Sequence, residues 1–449
     1  MLSVLRVRAY RRLFTAQVVA LAGTGLATVA LGLLAYDLAG RDASTVLGTA
    51  LAIKMVAYVA IAPLAGAFAD RLPRRALLAG LDLVRAGVAL TLPFVDRIWQ
   101  VYLAVFLLQA ASAAFTPTFQ ATIPRLLPAE RDYTAALSLS RLAYDLESLF
   151  SPALAALALT LVPYHALFAG TSAGFLASAL LVAGTVLPRV AAAGHRAPYA
   201  RTAAGSRLFR ATPRLRALLA LDLAVAAAGA LVFVDTVVLV RDHFHRGPAA
   251  VTLALGAYGA GSMAAALLLP RVLDRHGDRA VMLPAGFALP VVLAAAAALT
   301  TAAATAWTWT GLLAAWALIG AASSAVLTPG GRVVRRSADD GDLAAAFAAQ
   351  FSLSHGCWLL TYPLAGLLAA VLGLPATAAL LGVLALTATV AATSLWPAHD
   401  PDRLDHVHTD LPAGHPHLAD AHPATAGGWH HDHHYVIDPH HRTWPRAAA

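Results

Sequence analysis

An all-α membrane protein with twelve transmembrane helices in two pseudo-symmetric six-helix halves is the fold this sequence predicts, on three observations. Composition is the first: 59% hydrophobic and 12% charged residues, with a mean hydropathy of +0.68, leave far fewer charges than the roughly 25% of a soluble chain. The second is the count of apolar windows long enough, at about 20 residues, to cross a bilayer core. The third is an Asp-Arg turn that occurs twice. It reads Gly66-Ala-Phe-Ala-Asp70-Arg71-Leu-Pro-Arg74-Arg75 and, half a chain later, Pro270-Arg271-Val-Leu-Asp274-Arg275-His276-Gly277. Each copy closes the second apolar span of its half.

In the first half, residues 1–187, spans are predicted at 14–38, 46–69, 76–95, 101–123, 135–162 and 166–187. A polar cytoplasmic linker occupies 188–216. The second half, 217–396, carries spans at 217–240, 249–273, 280–299, 306–328, 344–371 and 375–396, and a polar tail follows over 397–449. Lys and Arg accumulate in short cytoplasmic loops. Placing the N-terminus inside puts Arg6, Arg8, Arg11, Arg12, both Asp-Arg turns, Arg125, Arg131, Arg332, Arg335, Arg336 and the basic stretch 189–216 on one side, leaving Arg41, Arg97, Arg241 and Arg246 outside. Twelve spans then return the tail to the cytoplasm. The first span is too long, and too poor in small-residue cleavage signals, for a removable signal peptide.

The duplication extends beyond the turn. Thr116-Pro117 closes the fourth span and Thr328-Pro329 the tenth, each before a basic loop, and Pro152 in the fifth span is echoed by Pro363 in the eleventh. Several other classes are excluded. The single Cys357 rules out an intramolecular disulfide framework and reads as a small packing residue within a span. Net charge +8 does not indicate nucleic acid, because the basic residues lie in loops on one face without interleaved aromatics. No nucleophile-base constellation or phosphate-cradling loop marks an enzyme or calls for a cofactor.

The first Asp-Arg turn resembles the loop motif of the major facilitator superfamily, Gly-x-x-x-Asp-Arg-x-Gly-Arg-Arg, with Pro73 where the family usually has Gly. The resemblance implies two six-helix halves with a substrate site between them near the bilayer midplane. It also places Gly66, Asp70, Arg71, Arg74 and Arg75, with Asp274 and Arg275 of the second copy, in a cytoplasmic gate. Tyr10-Arg-Arg-Leu-Phe14 leading into Gln17, Pro63-Leu-Ala-Gly66, Asp82 to Arg85, Phe115-Thr-Pro117 and Ile123-Pro-Arg-Leu-Leu-Pro128 together look like the enterobactin-exporter-like branch, bacterial inner-membrane exporters of siderophores, drugs and metals. That likeness covers roughly residues 8 to 160.

Charges inside a membrane are costly and persist mainly when paired or functional. Asp82 and Arg85 are three apart, and Arg141 and Asp145 four apart, spacings that put opposite charges on one helical face. Each pair is either a self-neutralising brace or a working part, and Asp82 with Arg85 lies near enough the cytoplasmic side to join the gate. Glu147 points away from the Arg141 pair, about 200° around the helix. Facilitator folds bring the second, fifth, seventh and eleventh spans to a central cavity, which makes Lys54, Asp145, Glu147, Asp222, Asp235 and His355 candidates for the transport path or proton coupling. For Glu147 a structural interhelical bond competes with that role, and for His355 ordinary packing does.

The tail holds twelve of the eighteen histidines. His406, His408, His415, His417, His430, His431, His433, His434, His440 and His441 are the metal-ligand candidates, since imidazole suits nickel, zinc, copper and cobalt. The competing expectation is a disordered polar extension. In layout the chain resembles nickel-resistance efflux proteins of the same superfamily. The sequence therefore predicts a monomeric, proton-coupled, alternating-access exporter of the bacterial inner membrane with a divalent metal cargo, nickel first and cobalt or zinc next. The alternatives are an exporter of a siderophore or amphipathic drug whose tail is regulatory or incidental, and a metal sensor that transports nothing.

Overall fold

The computed structural model describes residues 2–39, 43–68, 72–187, 198–412, 415–424, 427–438 and 440–445. Twelve long helices run through them. The first half contains α1 Arg8–Ala39, α2 Ala43–Phe68, α3 Arg74–Thr91, α4 Ile98–Gln120, α5 Glu130–Leu159 and α6 His165–Ala183. The second contains α7 Pro213–His243, α8 Pro248–Leu273, α9 Asp278–Thr301, α10 Ala306–Arg335, α11 Leu343–Leu372 and α12 Leu374–Leu395. Eleven are long and apolar enough to cross a bilayer. The twelfth, α5, carries Glu130, Arg131, Asp132, Arg141, Asp145 and Glu147 within its 30 residues, so its hydropathy is diluted by the charges that matter to the site. A lipid core offers no partner to a bare N–H or C=O, and continuous helices satisfy the backbone internally.

The predicted spans match these helices with shifted ends. The largest difference is in α10, which continues seven residues past the predicted 328 through the basic turn Arg332–Arg335 to Arg335. Within the linker, Pro198–Ala211 forms a helix packed on α11 and α2. Gly205 makes this contact: a Cβ there would lie 2.4 Å from the Ala345 carbonyl oxygen.

Packing repeats between halves. In the first, α1 and α3 pack on α6, and α2 on α4; in the second, α7 and α9 pack on α12, and α8 on α10. The halves meet along α2–α11 and α5–α8. Small residues allow the tightest crossing, as expected where lipid gives no hydrophobic drive between helices. A Cβ on Gly261 would sit 1.8 Å from the Ala317 carbonyl oxygen, and one on Gly320 1.9 Å from that of Tyr258. In α7 the backbone passes through π turns at Leu231–Asp235 and Leu239–His243, and buried Thr236 between them accepts a bond from Trp316 Nε1 at 2.8 Å.

The beginning of α1 meets the end of α6 where Arg12 donates to the Gly184 carbonyl, and the beginning of α9 meets the end of α12 where Arg279 reaches the Trp396 carbonyl. Arg332 and Arg336, at and just past the end of α10, reach Glu130 at the start of α5 and Asp278 at the start of α9, so these helix ends lie on one face, called here the basic face.

The tail corrects the expectation of disorder. Strands β1 Arg403–His408, β2 His422–Pro423 and β3 Trp429–His434 form an antiparallel sheet in the order β1-β3-β2. Buried Leu418, Tyr435, Val436 and Ile437 provide an apolar base that composition alone undervalues.

Candidate functional site

A cavity of about 400 Å³ lies between the halves. Asp222 is nine residues inside α7 and His355 twelve inside α11, counted from the basic face; at 1.5 Å per residue these depths are about 14 and 18 Å along helices about 45 Å long. Tyr58 of α2, Tyr144 of α5 and Phe347, Phe351 and Trp358 of α11 supply aromatic walls. Asp222 is buried. Its Oδ2 accepts a bond from Gln350 Nε2 at 2.7 Å, and its Oδ1 has no hydrogen-bond partner among the described residues. His355 donates through Nδ1 to the Phe351 carbonyl at 2.7 Å, since a carbonyl can only accept, and packs edge-on to Tyr58. Lys54, one turn from Tyr58, holds its ammonium 5.6 Å from that ring's centre.

The remaining intramembrane candidates divide by partner. Arg141 and Asp145 pair at 3.2 Å and share Ser262 of the other half, whose Oγ donates to Asp145 Oδ2 at 2.8 Å and accepts from Arg141 Nε at 3.0 Å. Arg141 lines the cavity, so this pair is a link between halves at the cavity wall. Glu147 is directed toward α1, where a Cβ on Gly25 would lie 3.3 Å from its Oε1 and closer still to Ser151; Lys54 is within electrostatic reach. Asp235 is buried in a π turn of α7 outside the cavity lining, its Oδ2 unpartnered.

The expected gate set is redistributed. Asp70 and Arg71 lie outside the described residues, as does the environment of Gly66. Arg74 is buried and donates to the Ala121 carbonyl at 2.9 Å, and Arg75 and Arg275 are exposed. Asp274 does bridge the halves, to Arg131 at 3.3 Å. Asp82 and Arg85 do not. They pair with each other and with Ser178, beneath the rings of Phe115 and Phe175, and so fasten α3, α4 and α6 within one half.

Closure of the basic face depends on residues that sequence reasoning saw only as a basic loop. Arg332 pairs with Glu130 and donates to Thr134 Oγ1 at 2.6 Å. Tyr133 donates to the Gly331 carbonyl at 3.1 Å, and Arg335 to that of Pro128 at 2.7 Å. Asp278 holds Arg332 at 2.8 Å and Arg336 at 3.3 Å.

Outside the spans and among the described residues, His406, His408, His417, His431, His433 and His441 each bring one ring nitrogen into a group whose members all lie within 4.8 Å of one another. Strand alternation builds this set. His406 and His408 are two apart on β1, His431 and His433 two apart on β3, and His406 pairs with His431 in register, so four rings share one sheet face. His417 and His441 close over it. Burial, followed by mutual repulsion, holds His406 and His417 down at about 4 and lowers His408 and His431. Four expected ligands lie elsewhere. His430 is on the opposite sheet face, 2.9 Å from Asp405; His434 faces the gate arginines; His415 accepts from the His417 backbone N–H; and His440 stacks beside His417.

A family model described as Major Facilitator Superfamily matches residues 13–240 and 223–419. Macrolide efflux protein A of Streptococcus pyogenes is 27% identical over 150 residues, 32% of this chain and 37% of that protein. The uncharacterized MFS-type transporter YfiS of Bacillus subtilis (strain 168) is 23% identical over 220 residues, covering 47% and 52%. The chain thus spans about a third to a half of the length of the curated relatives it matches. The fold is shared with the human organic anion transporter MFSD10 (TM-score 0.72, 14% identity, 86% of this chain and 99% of that one). It is also shared with a bacterial homologue of the iron transporter ferroportin in an outward-facing state (TM-score 0.71, 13% identity, 86% and 99%).

Proposed function

The chain belongs to the Major Facilitator Superfamily, and on that premise we propose that it is a monomeric inner-membrane exporter, both termini cytoplasmic, that exchanges protons for an amphipathic organic cation by alternating access. Asp222 carries this reading. Its carboxylate is buried in the wall of an aromatic cavity, and its described hydrogen-bond donor, Gln350, is neutral. An ionised carboxylate so placed needs a counter-charge, because an unpaired ion at low dielectric costs several kcal/mol. Two can serve in turn: a proton when the cavity is empty and an organic cation when it is filled. Binding one releases the other, which is antiport.

The walls suit that cargo. Aromatic faces attract a cation by about 0.5–2 kcal/mol each while offering apolar surface. A dehydrated transition ion instead needs three or four convergent ligands, and among the described residues the one such group lies in the tail. Similarity to a macrolide efflux protein supports an organic cargo. Export of a divalent metal, nickel before cobalt or zinc, is the second reading, favoured by that tail cluster.

Proteoliposomes with an imposed pH gradient separate the two. A fluorescent amphipathic cation should accumulate in exchange for protons, and Asp222→Asn should lower the driven uptake about tenfold or more, the loss of one charge-assisted contact of at least about 1.4 kcal/mol. Nickel uptake in the same vesicles, with none of the organic cation, would establish the second reading.

A further inference from the structure

The six tail imidazoles contradict an ordinary hydrogen-bonded cluster. His406 donates through Nδ1 to the Leu404 carbonyl at 3.0 Å, and His441 Nδ1 lies 2.9 Å from Asp438 Oδ1. The Leu404 carbonyl can only accept, so His406 carries its proton on Nδ1 and presents a lone pair at Nε2; the Asp438 carboxylate facing His441 Nδ1, although not aligned as a hydrogen bond, favours the same tautomer there. Those two Nε2 atoms are nevertheless 3.0 Å apart, with His408 Nε2 at 3.1 and 3.2 Å from them. The Nε2 atoms of His417, His431 and His433 are buried without a hydrogen-bond partner among the described residues. A proton on His408 Nε2 could serve only one of these neighbours, which leaves the other Nε2 atoms as converging lone pairs that repel unless a cation sits among them.

The spacing identifies the cation's geometry. For a metal–nitrogen bond of about 2.1 Å, adjacent ligands are about 3.0 Å apart in an octahedron and about 3.4 Å apart in a tetrahedron; the three measured edges, 3.0, 3.1 and 3.2 Å, lie on average nearer the octahedral value, and six converging imidazoles exceed a tetrahedral set. Two outer nitrogens are braced as in known imidazole sites, His406 Nδ1 by the Leu404 carbonyl and His433 Nδ1 by the His434 carbonyl at 2.7 Å, and the Asp438 carboxylate faces His441 Nδ1 at 2.9 Å.

We propose that the tail is a resident, regulatory site for one six-coordinate divalent transition ion of the nickel class, and that its occupancy stiffens the closed gate of the basic face. Zinc, which prefers four ligands, fits less well. Six ligands leave no open position through which the ion could be handed on, so the site holds a metal and does not relay one. A continuous set of contacts leads from it to the gate. Tyr435 packs 4.5 Å from His441 and 5.2 Å from Trp444, and Trp444 lies beneath Arg214 at 5.2 Å. Arg214 and Arg336 hold the tail's Asp400 and Asp402, and Arg336 shares Asp278 with Arg332. The inference is independent of cargo, since it concerns the tail and the gate alone.

Full-length protein stripped of metal would be titrated with nickel chloride, with cobalt chloride as the optical probe and hydrogen exchange as the second readout. One ion per chain should bind, with the weak visible absorption of six-coordinate cobalt. Exchange should slow both in the tail and in the gate segments around Glu130–Thr134 and Arg332–Arg336. His406→Ala with His431→Ala should abolish the one-ion step. Asp438→Asn, which keeps all six ligands, should weaken it about 10–100-fold, and His430→Ala on the other sheet face should leave it intact. Several equivalent ions per chain, intense four-coordinate cobalt bands, or indifference to His406 and His431 would overturn the site. Slowing confined to the tail would overturn its hold on the gate.

Discussion

Among the charged side chains within the helices, the partner decides the role. Asp82 has Arg85 and Ser178, and Asp145 has Arg141 and Ser262; both are braces whose charge is already answered. Glu147 faces Ser151 and Gly25 within its own half, in reach of Lys54, whereas Asp222 faces the cavity with one oxygen free. The two carboxylates should therefore respond differently to neutralisation. Glu147→Gln keeps the shape and a hydrogen-bonding group beside Ser151, so proton-driven transport should fall only severalfold, chiefly through protein amount, while Asp222→Asn should lower it about tenfold or more at equal protein amount. Transport normalised to membrane abundance measures this contrast, and equal losses in the two variants would place Glu147 in the path as well. The residue types of the site were legible in the sequence. Their partners were not, because Ser262, Ser178 and Gln350 come from helices 96 to 128 positions away, a separation that periodicity cannot report.

At the scale of elements, hydropathy located the twelve helices because a lipid solvent demands long apolar runs. It was blind to what lies outside the bilayer. The tail reads as polar and His-rich, yet His406-Val-His408 and His431-Asp-His433 are also strands with period-two alternation, imidazoles on one face and Asp405, Val407, His430 and Asp432 on the other. That signal was present and was masked by composition. Helix crossings are likewise invisible in hydropathy, since Gly256 and Gly261 of α8 look alike in sequence. A Cβ on Gly256 meets open space, and one on Gly261 meets the Ala317 carbonyl at 1.8 Å. Gly256→Ala should be neutral or stabilise by about 0.5–1 kcal/mol through helix propensity. Gly261→Ala must push α8 from α10 and should lower the melting temperature and membrane yield, despite the same gain in propensity. Melting curves of the two single variants in one detergent provide the comparison.

For the whole molecule, the two halves touch along the α2–α11 and α5–α8 seams, and a few bonds at the basic face close the route to a cavity about 14–18 Å inside. Arg332 is the centre of that closure, held from its own half by Asp278 and reaching across to Glu130 and Thr134. Tyr133 and Arg335 add two bonds to backbone carbonyls of the opposite half. These are few contacts for an interface that must open in every cycle, and each exposed or partly exposed ion pair contributes only about 0–1 kcal/mol. Arg332 is mostly buried, so its loss should cost more and should tip the balance toward opening. The expected result is that Arg332→Gln exposes the cavity to the basic face. Ser354 lines that cavity and Cys357 is the sole native thiol, so Ser354→Cys in a Cys357→Ser background makes a single reporter. A membrane-impermeant maleimide applied from the basic face should label it severalfold faster when Arg332→Gln is added. Faster labelling would show Arg332 holding the halves together, and an unchanged rate would show that the remaining bonds and the packed α2–α11 and α5–α8 seams suffice to keep the face closed.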